Sequence, residues 1–391
     1  MDDASKKNLG YRIAASSFFF MQGIVFSTWT THIADIRTEL GLSEVDLGKI
    51  LFGLPLGQFL TMPVSGYLTA RFSSKRCIFA GALLYPLCLL LINAAGSMWE
   101  LFAYLLCFGV CANLTNIAIN TQAVSVEKLY GRSIMGAFHG TWSFACFCGG
   151  LISMALLHLG IPMSAHFGIT ICMAIVNLAV FGRLLYPFDA ERTPKAGDEG
   201  KTRTMFTPTP FILMLGATAF GSMSCEGTMF DWSVVYFRDV VRVADENSTM
   251  GYIAFMSMMA TGRFAADFFI NKFGSIRVLQ FSGAIITTGM MLAVLFPNVY
   301  AATTGFFMVG IGVSSVVPIC YSAAGKSQRM PAGIAIATVS SIGFLGFLLG
   351  PPLIGFIAGA LNLRFSFATM ALIGLLVSII APFMRFRLGK N

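Results

Sequence analysis

Charge is scarce in this chain. Asp, Glu, Lys and Arg make up 11% of its 391 residues, against 56% that are hydrophobic, where a soluble domain carries roughly 25% charged residues. An ordinary water-soluble core is thereby excluded, because a fold of this size could not cover so much apolar surface. Paired-cysteine motifs are also lacking. The nine Cys stand at 77, 88, 107, 111, 146, 148, 172, 225 and 320, an odd number with no CxxC and no Cys/His metal spacing, which favours small apolar packing residues over a disulfide framework or a metal site. No Walker-type phosphate loop occurs, so ATP-driven work by this chain alone is not expected. Neither a cofactor nor a metal is expected.

Long runs without a formal charge fill the space instead. They cover 13 to 34, 50 to 70, 77 to 99 and 101 to 126, then 133 to 182, which must hold two spans broken at His158 to Pro162. After the polar segment Arg183 to Met205 come 204 to 225, 247 to 262, 278 to 325 (two spans, broken at Pro297 to Tyr300), 330 to 363 and 365 to 384. A bilayer core needs about 20 apolar residues per helix. Twelve crossings fit, the seventh and eighth only if a few ionisable residues are admitted. The expected fold is an all-α membrane protein of twelve transmembrane helices in two pseudo-symmetric six-helix bundles, 1–187 and 208–391, joined by a cytoplasmic linker at 188–207.

With the N-terminus inside, twenty of the 26 Lys and Arg fall on cytoplasmic segments; Arg37, Lys49, Arg238, Arg242 and Arg364 fall outside and Arg263 within a span. The positive-inside bias therefore places both termini in the cytoplasm. The net charge of +8 is this same bias and gives no reason to invoke nucleic acid. Lys6 and Lys7 before an apolar run look like a signal peptide, but the run is too long and no small-x-small cleavage site closes it. It reads as the first span.

An internal repeat supports six plus six. Arg71-Phe-Ser-Ser-Lys-Arg76 matches Lys272-Phe-Gly-Ser-Ile-Arg277, and Leu47-Gly-Lys-Ile50 aligns with Met250-Gly-Tyr-Ile253. Parallel repeats with solute handled near the midplane are a transporter architecture. Gly66-Tyr-Leu-Thr-Ala-Arg-Phe-Ser-Ser-Lys-Arg76 resembles the loop signature of the major facilitator superfamily, departing from it at Ala70, where an acid is expected, and at Ser73, where a second Gly is expected. Gly262-Arg-Phe-Ala-Ala-Asp267 in the second half keeps the acid. Further segments resemble the YbjJ-like inner-membrane transporters of bacteria. These are Leu40 to Ser43, Asn120 to Val124 with Glu127, Phe138 to Trp142, Cys225 to Trp232, Val317 to Ile319 with Ala323 to Gly325, and Gly343 to Gly355. A looser likeness to fucose-type sugar/proton symporters lies over spans one to three. The resemblance implies a monomeric secondary transporter of the bacterial inner membrane that works by alternating access.

Ionisable side chains inside a bilayer are expensive and ask for a reason. Glu226 and Asp231 on span seven are candidate proton-coupling residues, since a desolvated carboxyl can load and release a proton as access alternates. The alternative is a structural carboxylate paired with Arg238, Arg242 or a neighbouring helix. Arg263 and Asp267, four apart on span eight, share a helix face and are read, with Arg71, as pairing or gating residues. Asn113, Asn116 and Asn120 at i, i+3 and i+7 line one face of span four, as solute ligands or as helix glue. Gln22 and Trp29 share a face of span one, and an amide beside an aromatic suits a hydroxylated ring. His139 and Trp142 on span five, Trp232 and Tyr321 complete the candidate solute-binding set. Trp99 sits where an interfacial aromatic belongs.

The Gly-Pro motif of drug/proton antiporters is missing from span five, which reads Cys146-Phe-Cys-Gly-Gly150, and span four has no Arg. A proton-coupled symporter for a small polar solute, sugar-like rings included, is the leading reading, with an efflux antiporter second. A non-transporting solute sensor is the third. A membrane enzyme would need convergent nucleophile, base or metal ligands, which these residues do not supply.

Overall fold

A computed structural model describes residues 3–130, 134–187, 209–325 and 332–384, leaving aside the side chains of 3–5, 267 and 332–334. The expected linker 188–207 lies outside the described residues. Those that are described form helices and short connections, with no strand among them. Their contacts divide into two compact units, Met1–Arg192 with Ala244–Ile253, and Thr193–Val243 with Ala254–Asn391.

The first unit holds α1 (Asp3–Thr31), α2 (Ile33–Glu39), α3 (Glu44–Leu51), α4 (Gly53–Phe72), α5 (Ser74–Asn93), α6 (Met98–Tyr130), α7 (Met135–His158) and α8 (Met163–Phe181). Within it α4 packs on α6, α1 on α7, and α5 on both α6 and α8. The α4–α6 seam depends on small residues: a Cβ on Gly57 would run into the carbonyl oxygen of Leu106, and one on Gly109 into that of Leu54. Close backbone approach of this kind replaces the hydrophobic drive that lipid does not supply.

The remaining helices are α9 (Pro210–Tyr236), α10 (Met250–Phe273), α11 (Ser275–Leu295), α12 (Val299–Ser314), α13 (Val316–Gly325), α14 (Ala332–Ala360) and α15 (Leu363–Ile380). In the second unit α9 packs on α14 and α15, and α11 on α12 and α15. Gly346 of α14 faces the Phe220 carbonyl of α9, so the Gly-rich run of span eleven serves close packing. The break between α12 and α13 falls at Ser315, because Pro318 has no N–H to give the Ser314 carbonyl four residues before it. By contrast α14 continues through Pro351 and Pro352.

Among the described residues, ten helical stretches are long and apolar enough to cross a membrane. The twelve are completed by α9 and α10, of 27 and 24 residues, the two that carry Glu226, Asp231, Arg263 and Asp267. The repeat is visible in the backbone. Ser73 between α4 and α5 has φ 76°, ψ 150°, and Gly274 between α10 and α11 has φ 80°, ψ 150°. That region is essentially reserved for glycine, and the first half holds it with a serine.

Candidate functional site

In the second unit the candidates gather around a buried carboxylate. Glu226 lies on the fifth turn of α9, 6% exposed, because α9 is enclosed by α14 and α15 and its small residues admit close neighbours. Its Oε1 accepts a hydrogen bond from the Arg263 guanidinium of α10 at 3.1 Å. For Glu226 the sequence leaves open a proton-coupling carboxyl or a structural carboxylate paired with Arg238, Arg242 or a neighbouring helix, and the partner it meets is Arg263 on the neighbouring helix α10. Breaking such a pair leaves the surviving charge uncompensated in a dry setting. Tyr321 on α13 is close enough to Glu226 for the two to interact electrostatically, and its hydroxyl donates to Ser340 Oγ of α14 at 3.1 Å.

The other second-unit candidates are dispersed. Asp231 is half-buried, one turn beyond Glu226 on α9. Trp232 has no exposed surface, and its indole N–H has no partner among the described residues. Arg263 turns toward Glu226, while the side chain of Asp267 lies outside the described residues. Arg71, in the first unit, is exposed and lines a cavity of about 700 Å³ with Ser73, Lys75, Arg76 and Pro187.

The amide stripe on α6 divides by depth. Asn113 is 5% exposed and its side-chain oxygen has no hydrogen-bond partner among the described residues; Asn116 is exposed, and Asn120 donates to the Asn116 side-chain oxygen at 3.0 Å. Gln22 of α1 reaches the Ala112 carbonyl at 3.4 Å, bringing its amide to the α1–α6 seam beside Asn113. Trp29 is 1% exposed, its ring centroid 6.4 Å from that of Phe108, which places it in the core. His139 is exposed and sets its ring edge-on to Phe19 at 5.6 Å, while Trp142 lies 5.7 Å from Phe26.

Several polar residues that the sequence reading passed over are engaged. His32, in the turn between α1 and α2, contacts Asp35 Oδ2 through Nδ1 at 2.7 Å and His166 Nδ1 of α8 through Nε2 at 2.9 Å. The i, i+3 spacing of His32 and Asp35 was a visible signal. His166 stands 134 positions away and carried none. Gln122 donates to Ser74 Oγ and the Tyr186 carbonyl at 2.7 and 2.9 Å and accepts from the Tyr186 N–H, tying α6 to the start of α5. Glu127 accepts from the N–H groups of Ile134 and Met135 at 2.7 and 2.9 Å, supplying the first free donors of α7 with a carboxylate.

A helical membrane unit with buried polar contacts is a general transporter pattern, and comparison with known proteins narrows it. The model of the Major Facilitator Superfamily matches residues 13–332. An uncharacterized MFS-type transporter of Yersinia pestis is 33% identical over 381 residues, covering 96% of each chain. Among solved structures, the nucleoside transporter NupG (D323A mutant) aligns with a TM-score of 0.78 at 11% identity, covering 96% of this chain and 99% of that one. The MFS transporter FucP in its outward conformation aligns at 0.62 and 15% identity, covering 95% and 98%. At those identities the two structures speak for the fold, and the family match with the Yersinia relative carries the assignment: this chain belongs to the Major Facilitator Superfamily and is a multi-pass membrane transporter.

Proposed function

We propose that the chain is a proton-coupled symporter that moves a small polar solute across the bacterial inner membrane by alternating access, as a monomer with both termini in the cytoplasm. The observation that carries this reading is the buried Glu226 held by Arg263 at 3.1 Å. A carboxylate neutralised by proton uptake releases its guanidinium partner, and a charge pair that opens and closes with protonation links proton binding to helix α9 and α10. Asp231, one turn on, is the second proton-coupling residue. Arg71, Arg263 and Asp267 serve the gates.

A polar solute is supported by the orphaned oxygen of Asn113, which is buried at a cost of about 1 to 3 kcal/mol when unpaired and which Gln22 of α1 neighbours through Ala112. Asn116, Asn120, His139 and Trp142 in the first unit, and Trp232 and Tyr321 in the second, are the further solute-binding candidates, each within its own unit. Fold likeness to NupG, a nucleoside transporter by its title, makes a hydroxylated sugar ring the first solute class to try. Within the family, the YbjJ-like branch is the proposed placement.

Thermal-shift screening of sugars, nucleosides, amino acids and cell-wall fragments on purified protein identifies the solute, since a ligand of the folded state raises its melting temperature. Proteoliposome uptake of the hit then tests coupling. Glu226→Gln is expected to exchange solute yet lose accumulation driven by a pH gradient, with Asp231→Asn showing a weaker form. Accumulation by Glu226→Gln at the parental level would remove this residue as the coupling site.

A further inference from the structure

Thr28 of α1 and Thr170 of α8 join side chain to side chain at 3.0 Å. Four residues further along each chain segment in opposite directions, His32 Nε2 and His166 Nδ1 meet at 2.9 Å. These two rungs hold the segments at a fixed spacing, and both imidazoles are 2% exposed. The ring of Phe167 stands edge-on to His32 at 5.5 Å and 81°, limiting rotation of the imidazole. On its other side His32 Nδ1 contacts the Asp35 carboxylate at 2.7 Å, and Asp35 keeps 21% of its side chain exposed. A carboxylate open to solvent thus begins a line of hydrogen bonds that ends at a second, buried histidine.

Titratable and charged groups on the adjoining elements of this unit include Asp35, Arg37 and Glu39 on α2, Tyr85 and Cys88 on α5, Cys111 on α6, Cys146 and His158 on α7, Cys172 on α8, and Asp245, Glu246 and Tyr252 in the segment Ala244–Ile253. Arg37 is held by Glu44 at 2.9 Å and by the Leu42 carbonyl at 3.2 Å. Asp35 is hydrogen-bonded to His32 of the pair.

An N···N separation of 2.9 Å admits one hydrogen between the rings, so one nitrogen donates and the other accepts. In the neutral pair the His32 Nδ1–H donates to Asp35, the His166 Nδ1–H donates to His32 Nε2, and His166 Nε2 is bare. Adding a proton at His166 Nε2 lets the shared proton cross from His166 Nδ1 to His32 Nε2. The positive charge then resides on His32, against the Asp35 carboxylate. A second added proton would place two N–H groups head to head in the same gap. We propose that Asp35, His32 and His166 form a proton relay that binds a single proton between the two histidines and moves its charge from α8 to the end of α1, a proton site in the first unit distinct from Glu226. Its role in coupling rests on the proposed proton symport; its proton binding does not.

The full chain, labelled with ¹⁵N at histidine alone and reconstituted in lipid bilayers without solute, tests this by solid-state NMR. The protein has four His, and His139→Gln and His158→Gln in turn assign the signals of the two outside the relay. The expected result is a ¹⁵N–¹⁵N coupling across the His32–His166 hydrogen bond. One proton should be taken up by the pair as the pH is lowered, with His166 Nε2 turning from bare to protonated while His32 Nδ1 stays protonated throughout. In His166→Gln the coupling disappears. Absence of the coupling in the parental protein, or uptake of two protons by independent rings, overturns the relay whether or not the variant folds. Because no solute is used, that failure leaves Glu226 coupling untouched, and loss of Glu226 coupling in uptake assays leaves the relay untouched.

Discussion

Ser73 shows at the scale of one residue how this chain departs from its own repeat. It occupies φ 76°, ψ 150° and its side chain makes no capping bond to α5, whereas Gly274 meets the same demand without a Cβ. A non-glycine residue in this region costs on the order of 1 to 3 kcal/mol. Ser73→Gly is therefore expected to stabilise the protein by about 1 kcal/mol, and Gly274→Ser to destabilise it by a similar amount, read as opposite shifts of the melting midpoint in detergent. The Glu226–Arg263 pair makes a second residue-scale prediction. Arg263→Met strands a buried carboxylate and should cost about 3 kcal/mol, while Glu226→Gln/Arg263→Met should recover most of that loss. Equal melting of the single and double variants would show that the pair contributes nothing to the fold.

At the scale of helices, small residues decide which surfaces meet. Gly289 of α11 and Gly305 of α12 oppose each other so closely that a Cβ on either would strike the other's carbonyl oxygen. Gly289→Leu or Gly305→Leu should cost more than the roughly 1 to 3 kcal/mol typical of overpacking, because backbone obstructs the new side chain. Gly66→Leu meets nothing within 4 Å and should leave the melting midpoint within about 0.5 kcal/mol of the parent. Helix starts are decided locally: Asn298 accepts from the Ala301 N–H at 3.0 Å and Asn362 from the Phe365 N–H at 3.2 Å. Either Asn→Ala change should remove about 1 kcal/mol.

For the whole molecule the basic bias makes the topology testable. In a background with the nine native cysteines replaced, a cysteine at position 195 should react with a membrane-impermeant maleimide only after the cytoplasmic side is opened. A cysteine in place of Leu159, 73% exposed in the α7–α8 turn, should react in intact spheroplasts. The opposite pattern would invert the orientation and with it the cytoplasmic placement of both termini.

Membrane class, helix count and breaks were legible in the chain because the bilayer imposes one rule, about 20 apolar residues per crossing, and because turns announce themselves locally. The proline and glycine of His158 to Pro162 and the Asn298 cap mark their turns through their own backbone chemistry, and the ionisable residues that made α9 and α10 the least apolar spans are a matter of composition. Pairings across helices were not legible. Glu226 finds Arg263 37 positions away, and His32 finds His166 across 134, with nothing in either neighbourhood to name the partner. The face that turns toward a cavity or a core escaped for the same reason, since i, i+3, i+7 spacing puts Asn113, Asn116 and Asn120 on one side of α6 but the packing of α1 on α6 decides which of them is buried. Sequence by itself determined where the chain crosses the membrane, through local hydropathy and turn chemistry. Only tertiary structure decided which charge is neutralised by which, because that depends on the docking of helices whose seams are set by distant small residues.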